Sequence, residues 1–275
     1  MGLVFVPTPL GNLRDLTLRA LDVLAACDLI VAEDTRVTRR LLSAHSLGGK
    51  EIWTYNEHTP PRAVAGIVER ARTSLVAVVS DAGTPGISDP GRDLIVAARA
   101  AGVGVEVLPG PAAFVCAAVL SGFDLRGFSF EGFVPRAARE REAALRAALA
   151  TGKTSVWYES PQRIVATLEA LALIAPECDV ALVRELSKLH EEQLSGSPGA
   201  VAARLERPVR GEIAFALHPA PPPAAAAPEP EAVEAAIEAA LRGGRSTAAA
   251  AKELAAAGLG TRADLYARIA ARRRE

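Results

Sequence analysis

Between residues 78 and 91 the chain reads V-V-S-D-A-G-T-P-G-I-S-D-P-G, an apolar strand running into a loop of glycines, prolines, small hydroxyls and two aspartates. A loop of this kind at the carboxyl end of a strand is where open α/β sheets place a ligand. A second stretch, V-F-V-P-T-P-L-G-N-L-R-D over 4–15, repeats the arrangement with a proline pair, Gly11 and Asn12 ahead of a helix. An enzyme gripping a phosphate-bearing cofactor is expected to carry G-x-G-x-x-G or a Walker loop, because phosphates bind a glycine nest at a helix start. Neither motif occurs. The loops offer main chain, apolar side chains and the acceptors Asp81, Thr84, Ser88 and Asp89, which suit a partly apolar cofactor with positive charge. S-adenosylmethionine, with its sulfonium, amino-acid end and adenine, matches that inventory. Gly83, Gly86 and Gly91 would let main chain approach it closely.

Such loops need a sheet to hold them. Apolar, β-branched runs at 3–6, 29–32, 52–55, 75–80 and 103–108 alternate with amphipathic segments, the pattern of a parallel sheet wrapped by helices. In the first helix Asp15 is expected to cap, and Leu18, Leu21 and Leu24 to form the buried face. Each strand exit in this half is polar or rich in Gly and Pro, so one rim collects the unusual chemistry. Further strands are expected near 128–131, 154–158, 180–185, 192–194 and 212–217, with helices over 137–150 and 161–175. The domains are placed at 1–112 and 113–219, followed by a proline-stiffened Pro/Ala linker at 220–230 and a helical region at 231–275 whose middle helix is capped by Ser246.

The totals set limits. A chain of 275 residues, half of them hydrophobic, with net charge -1 is a soluble globular protein without a bulk basic signature. Local charge is less even: Arg36, Arg39 and Arg40 cluster, Arg136, Arg139, Arg141 and Arg146 follow, and Arg272, Arg273 and Arg274 lie near the end. Each cluster reads as a solvated helix face or a phosphate-binding patch. Cys27, Cys116 and Cys178 are isolated and the four histidines scattered, which supports neither disulfides nor a metal site. No leader pattern opens the chain and no apolar run reaches the roughly 18 residues of a membrane span, so a cytoplasmic location without membrane attachment is expected.

Several motifs, taken in order, carry a resemblance. They are V-P-T-P-L-G-N-L from Val6, A-E-D-T-R from Ala32, S-D-A-G-T-P from Ser80 with D-P-G from Asp89, L-P-G-P from Leu108, E-G-F from Glu131, Y-E-S from Tyr158 and R-E-L-S-K from Arg184. Together they resemble the ribosomal RNA small subunit methyltransferase I family, cytidine 2'-O-methyltransferases of the tetrapyrrole methylase superfamily. The resemblance spans about residues 3–218, and the closing segment resembles the helical tail of many members. It implies a homodimer of two α/β domains of tetrapyrrole methylase type, a parallel sheet in the first and a mixed sheet in the second, with a small helical tail. It also implies S-adenosylmethionine in the cleft and 16S rRNA of the small ribosomal subunit as partner. Carried over by motif, Pro7, Asp81, Ala82, Gly83, Thr84, Ile87 and Ser88 line the cofactor, with Pro109, Ala112 and Ala113 beneath it. Tyr158, Glu159 and Leu186 cover the adenine side. Arg36, Arg39, Arg136 and Arg139, with Asn12 and Lys188, are expected to contact RNA. One departure concerns the stretch after E-G-F-x-P, where members commonly have lysine and this chain has R-A-A-R, keeping the charge but changing its hydrogen-bond geometry.

Methyl transfer to a ribose hydroxyl is an in-line displacement that needs alignment and no metal. A nearby carboxylate can take the hydroxyl proton. Glu33, Asp34, Asp81 and Glu159 are candidates, with Glu33 and Asp34 foremost, since adjacent like charges and partial burial raise a carboxyl's pKa. The same two could instead cap the helix starting near Thr35 or pair with Arg36 or Arg39. Two rivals stay open: a methylase of a tetrapyrrole or other small molecule on the same fold, and a non-catalytic RNA-binding module. The P-T-P-L-G-N-L loop differs from the G-x-G-x-G-D loop usual in the first, and the intact strand-exit motifs disfavour the second.

Overall fold

The computed structural model describes residues 1–220 and 229–273. Most of the expected linker at 220–230, and Arg274, lie outside the described residues. Contacts divide the chain into two compact units, Met1–Pro219 and Ala220–Glu275.

In the first unit, β1 (Gly2–Phe5), β2 (Leu29–Ala32), β3 (Glu51–Thr54), β4 (Leu75–Val79) and β5 (Val105–Val107) form a sheet in the order β3-β2-β4-β1-β5. All its pairings are parallel. Four helices connect the strands: α1 (Leu18–Ala26), α2 (Thr35–Ala44), α3 (Pro61–Ala71) and α4 (Arg92–Ala100). Because side chains alternate along a strand, Leu3, Phe5, Val76 and Val78 face α3 and α4, while Val4, Val6, Ala77 and Val79 face α1 and α2. A sheet covered on both faces accounts for strands that are apolar almost throughout.

The connections decide where a ligand fits. From β1 the chain crosses β4 to reach β2, and from β4 it crosses β1 to reach β5. Neighbouring β1 and β4 thus send their helices to opposite faces, leaving a crevice beyond their carboxyl ends.

Two local expectations are corrected. The cap of α1 is Thr17, whose hydroxyl accepts from the Ala20 N–H at 3.1 Å. Asp15 is consumed earlier, in a single 3-10 turn at Leu13–Asp15. The buried face of α1 is Ala20 and Leu24, four residues apart, while Leu18 is 80% exposed. A helix of 3.6 residues per turn drifts away from a strict three-residue spacing.

The same unit continues with α5 (Ala113–Ser121), β6 (Ser129–Phe133), α6 (Ala138–Ala150), β7 (Ser155–Glu159), α7 (Ile164–Ile174), β8 (Asp179–Arg184), β9 (Glu192–Gly196), α8 (Pro198–Arg204) and β10 (Ile213–His218). Their sheet runs β6-β7-β10-β8-β9. The β6–β7 pairing is parallel and the other three are antiparallel, which makes the sheet mixed. Helices α6, α7 and α8 cover one face through Leu145, Leu168, Leu171 and Val201. Helix α5 covers the other, setting Ala117 and Ala118 on Val156, Val183 and Ala214.

The second unit holds α9 (Pro230–Arg242), α10 (Thr247–Ala256) and α11 (Arg262–Arg272) around Val233, Ile237, Ala251, Leu265 and Ile269. Ser246 caps α10, its hydroxyl accepting from the Ala249 N–H at 3.3 Å.

Candidate active site

The rim above β1 and β4 is stitched by main chain. The Thr8 N–H donates to the Gly83 carbonyl at 2.8 Å, and the Gly83 N–H returns a bond to the Thr8 carbonyl at 3.0 Å. Thr84 Oγ1 donates to the Pro111 carbonyl at 2.8 Å, tying in the loop after β5. Gly83 has φ +84°, and a Cβ there would stand 3.2 Å from Leu10, so the turn takes only glycine without strain. A Cβ on Gly110 would stand 2.5 Å from the buried Pro7 ring. Three loops from three strands therefore form one braced rim.

Behind the rim lies a cavity of about 400 Å³, within the usual size range of small-ligand sites. The β4 loop contributes Asp81, Ala82, Gly83, Thr84, Ile87, Ser88 and Asp89, and Ala112 and Ala113 adjoin them. From the second sheet come Phe133, Tyr158, Glu159 and Leu186, and from the β2 exit Glu33. The Tyr158 hydroxyl accepts from the Phe114 N–H at 3.1 Å, and its ring meets Phe130 and Phe133 edge-on with centroids 5.0 and 5.4 Å apart. Pro7, Pro109 and Asp34 do not line the cavity. Pro7 instead supports the rim from beneath through its contact with Gly110. Among the described residues no Lys, Arg or His lines the cavity, while Glu33, Asp81, Asp89, Glu159 and Glu212 do.

These carboxylates differ in what they are free to do. Asp34 caps α2, accepting from the Arg36 N–H at 2.8 Å, and pairs with the Arg36 guanidinium at 2.6 Å. Those hydrogen bonds hold it down at about 2. Glu159 is 2% exposed and accepts from the Ser160 N–H at 2.7 Å and the Thr167 hydroxyl at 2.8 Å, with Arg163 as ion partner. Asp81 accepts from the Asp34 N–H at 3.1 Å, and burial outweighs that bond to push it up. Burial, then the Asp81 charge, pushes Glu33 up. Asp89 is pushed up to about 7 by burial, then by Glu33, with Asp81 adding and the Ser80 hydroxyl opposing. Asp89 closes the D-P-G end of the β4 loop, and only its position as the second aspartate of that loop hinted at a role.

The expected RNA contacts stand outside the cavity. Arg36 is engaged by Asp34, and Arg39 donates to Thr35 Oγ1 at 3.3 Å. Arg136 and Arg139 are exposed beside the start of α6. Asn12 caps the 3-10 turn by accepting from the Arg14 N–H at 3.1 Å. Lys188 is held between Glu185 at 2.8 Å and Glu212 at 3.0 Å, and Gly11 passes flat against its stem. Among the described residues no cluster of His, Cys, Asp or Glu could hold a metal ion, and no helix is long and apolar enough to cross a membrane.

A parallel and a mixed sheet joined in one unit, with an acidic, glycine-floored cavity at the switch point, define a class that the comparisons identify. A family model described as Tetrapyrrole (Corrin/Porphyrin) Methylases matches residues 2–202, and the chain belongs to that family. A solved structure titled diphthine synthase shares the fold, with a TM-score of 0.63 at 13% identity, covering 78% of this chain and 89% of that one. Within the family, curated relatives carry the name ribosomal RNA small subunit methyltransferase I. The protein of that name from Hydrogenobaculum sp. is 42% identical over 79% of this chain and 95% of its own length. The one from Vibrio cholerae is 40% identical over 78% and 76%, and the one from Thermotoga maritima 38% identical over 78% and 97%. By these matches the chain is placed in the ribosomal RNA small subunit methyltransferase I group of the methylases.

Proposed function

We propose that this protein is a cytoplasmic S-adenosylmethionine-dependent methyltransferase that modifies the ribose 2'-hydroxyl of a cytidine in 16S rRNA, acting on the small ribosomal subunit. The observation that carries the reading is the charge of the cavity, lined by acids and, among the described residues, by no cation, in a chain about 40% identical to relatives named for ribosomal RNA methylation. A cationic donor is favoured in such a site and a polyanion is repelled. Bound S-adenosylmethionine would supply an electrophilic methyl group there.

The lining fits that donor. Thr84, Ser88 and Asp81 offer acceptors, Gly83 brings main chain close, and Ile87, Ala112, Ala113, Tyr158 and Leu186 offer apolar cover for an adenine. The RNA backbone stays outside the acidic cavity, where Arg36, Arg39, Arg136 and Arg139 provide phosphate contacts that weaken with salt. Lys188 packs against Gly11 of the first loop, and Asn12 caps the 3-10 turn that follows it. Helix α5 supports a homodimer: it is apolar all round, and Val115, Val119 and Leu120 on its outer side are 46%, 66% and 45% exposed.

Tritiated-methyl transfer tests the reading. Label is expected in small ribosomal subunits, recovered as 2'-O-methylcytidine on nucleoside digestion, with far less in a short protein-free transcript. Label on a base, or acceptance only by a tetrapyrrole, would overturn it. Gly83→Arg is expected to abolish donor binding by calorimetry.

A further inference from the structure

We propose that Asp89 is the group that takes the hydroxyl proton during transfer, with Glu33 tuning it. The inference rests on the methyltransferase reading above and assigns a role within the same cavity.

Elimination narrows the field of acids. Asp34 lies outside the cavity and is spent on the helix cap and Arg36. Glu159 has both oxygens engaged by Ser160, Thr167 and Arg163. Asp81 braces the β2 exit through the Asp34 N–H. Glu212 is paired with Lys188 at 3.0 Å. Glu33 and Asp89 remain, both on the cavity wall and neither facing a cation.

The charges around Asp89 come from separate elements. Glu33 follows β2, Asp81 and the Ser80 hydroxyl follow β4, and the Tyr158 ring on β7 feels Asp89 from the second sheet. Two carboxylates and a half-buried position make it costly for Asp89 to stay ionised, so it sits at about 7. A general base is most effective when its affinity for the proton is near the working pH. Glu33 is pushed up as well, by burial and then by Asp81, and its charge in turn helps raise Asp89.

The step balances as follows. A lone pair on the ribose oxygen forms the new C–O bond, and the S–CH3 bond breaks with its pair going to sulfur, leaving a neutral thioether. The hydroxyl proton passes to the Asp89 carboxylate and from there to solvent. Before that step, any cation held among these acids favours their ionised forms. Donor binding at neutral pH therefore expels a proton from Asp89.

Calorimetry of the full-length protein in buffers of different ionisation enthalpy provides a readout independent of turnover. With S-adenosylmethionine at pH 7, release of up to about half a proton is expected from a group near that pH, and less with the uncharged-sulfur product S-adenosylhomocysteine. Asp89→Asn is expected to remove that difference while leaving donor affinity within a few-fold, and to lower kcat on small subunits by about 100-fold. Glu33→Gln is expected to move the alkaline-rising limb of the pH–rate profile to lower pH. Asp89→Asn with unchanged kcat, or a limb that stays put in Glu33→Gln, would overturn the assignment. If wild-type protein labels no ribosomal RNA while proton release still maps to Asp89, it is the substrate reading that fails.

Discussion

Adjacent acids in one motif have been given unlike work. Glu33 and Asp34 are neighbours in sequence, yet the extended backbone at Asp34, with φ -119°, turns its carboxylate onto the first N–H groups of α2 and leaves Glu33 at the cavity wall. Asp34→Asn keeps a capping oxygen, so donor affinity and turnover on small subunits are expected to hold. The pH response distinguishes these acids further. Asp34 is lowered to about 2, so its stabilisation is present above the ordinary carboxylate range and is lost as pH falls toward 2. Asp89 is raised to about 7, so the opposite sign applies: its site favours folding below the ordinary carboxylate range and that advantage is lost as pH rises through 7. Melting curves should accordingly show Asp89→Asn more heat-stable than wild type at pH 8, with the gain vanishing near pH 4. Sequence pattern exposed the acids, because they cluster at strand exits. It put Glu33 and Asp34 first and left Asp89 among the cofactor acceptors, because burial and partners come from distant segments: Glu33 beside Asp89, Thr167 and Arg163 beside Glu159.

Strands were readable from apolar β-branched runs, and each expected strand exists within a few residues of its place. Helix detail was less readable. The short α8 went unforeseen although Ser197 and Pro198 form a proper start, because Gly199 and a run of only seven residues resemble a loop. At α1 the eye is drawn to Asp15, but the chain inserts a 3-10 turn first and leaves Thr17 as cap. Thr17→Ala is expected to cost about 1 kcal/mol in urea unfolding, with Thr17→Ser restoring most of it. Strand order was beyond reach of local pattern, since the order β3-β2-β4-β1-β5 is fixed by contacts across the whole half.

Two compact units make up the molecule as a whole. The first contains every residue of the cavity, and the second has a core of its own. Ending the chain after Pro219 is therefore expected to leave a cooperatively folded protein with unchanged affinity for S-adenosylmethionine by calorimetry. Any loss then seen with small subunits belongs to the tail. The central place of β1 has a further effect. Its partners are Leu75 and Val105 and their neighbours, far along the chain, so the strand has no one to pair with until they arrive. Non-local pairing of this kind slows folding. During synthesis about two fifths of the polypeptide must therefore emerge before the parallel sheet under the cavity can close around β1.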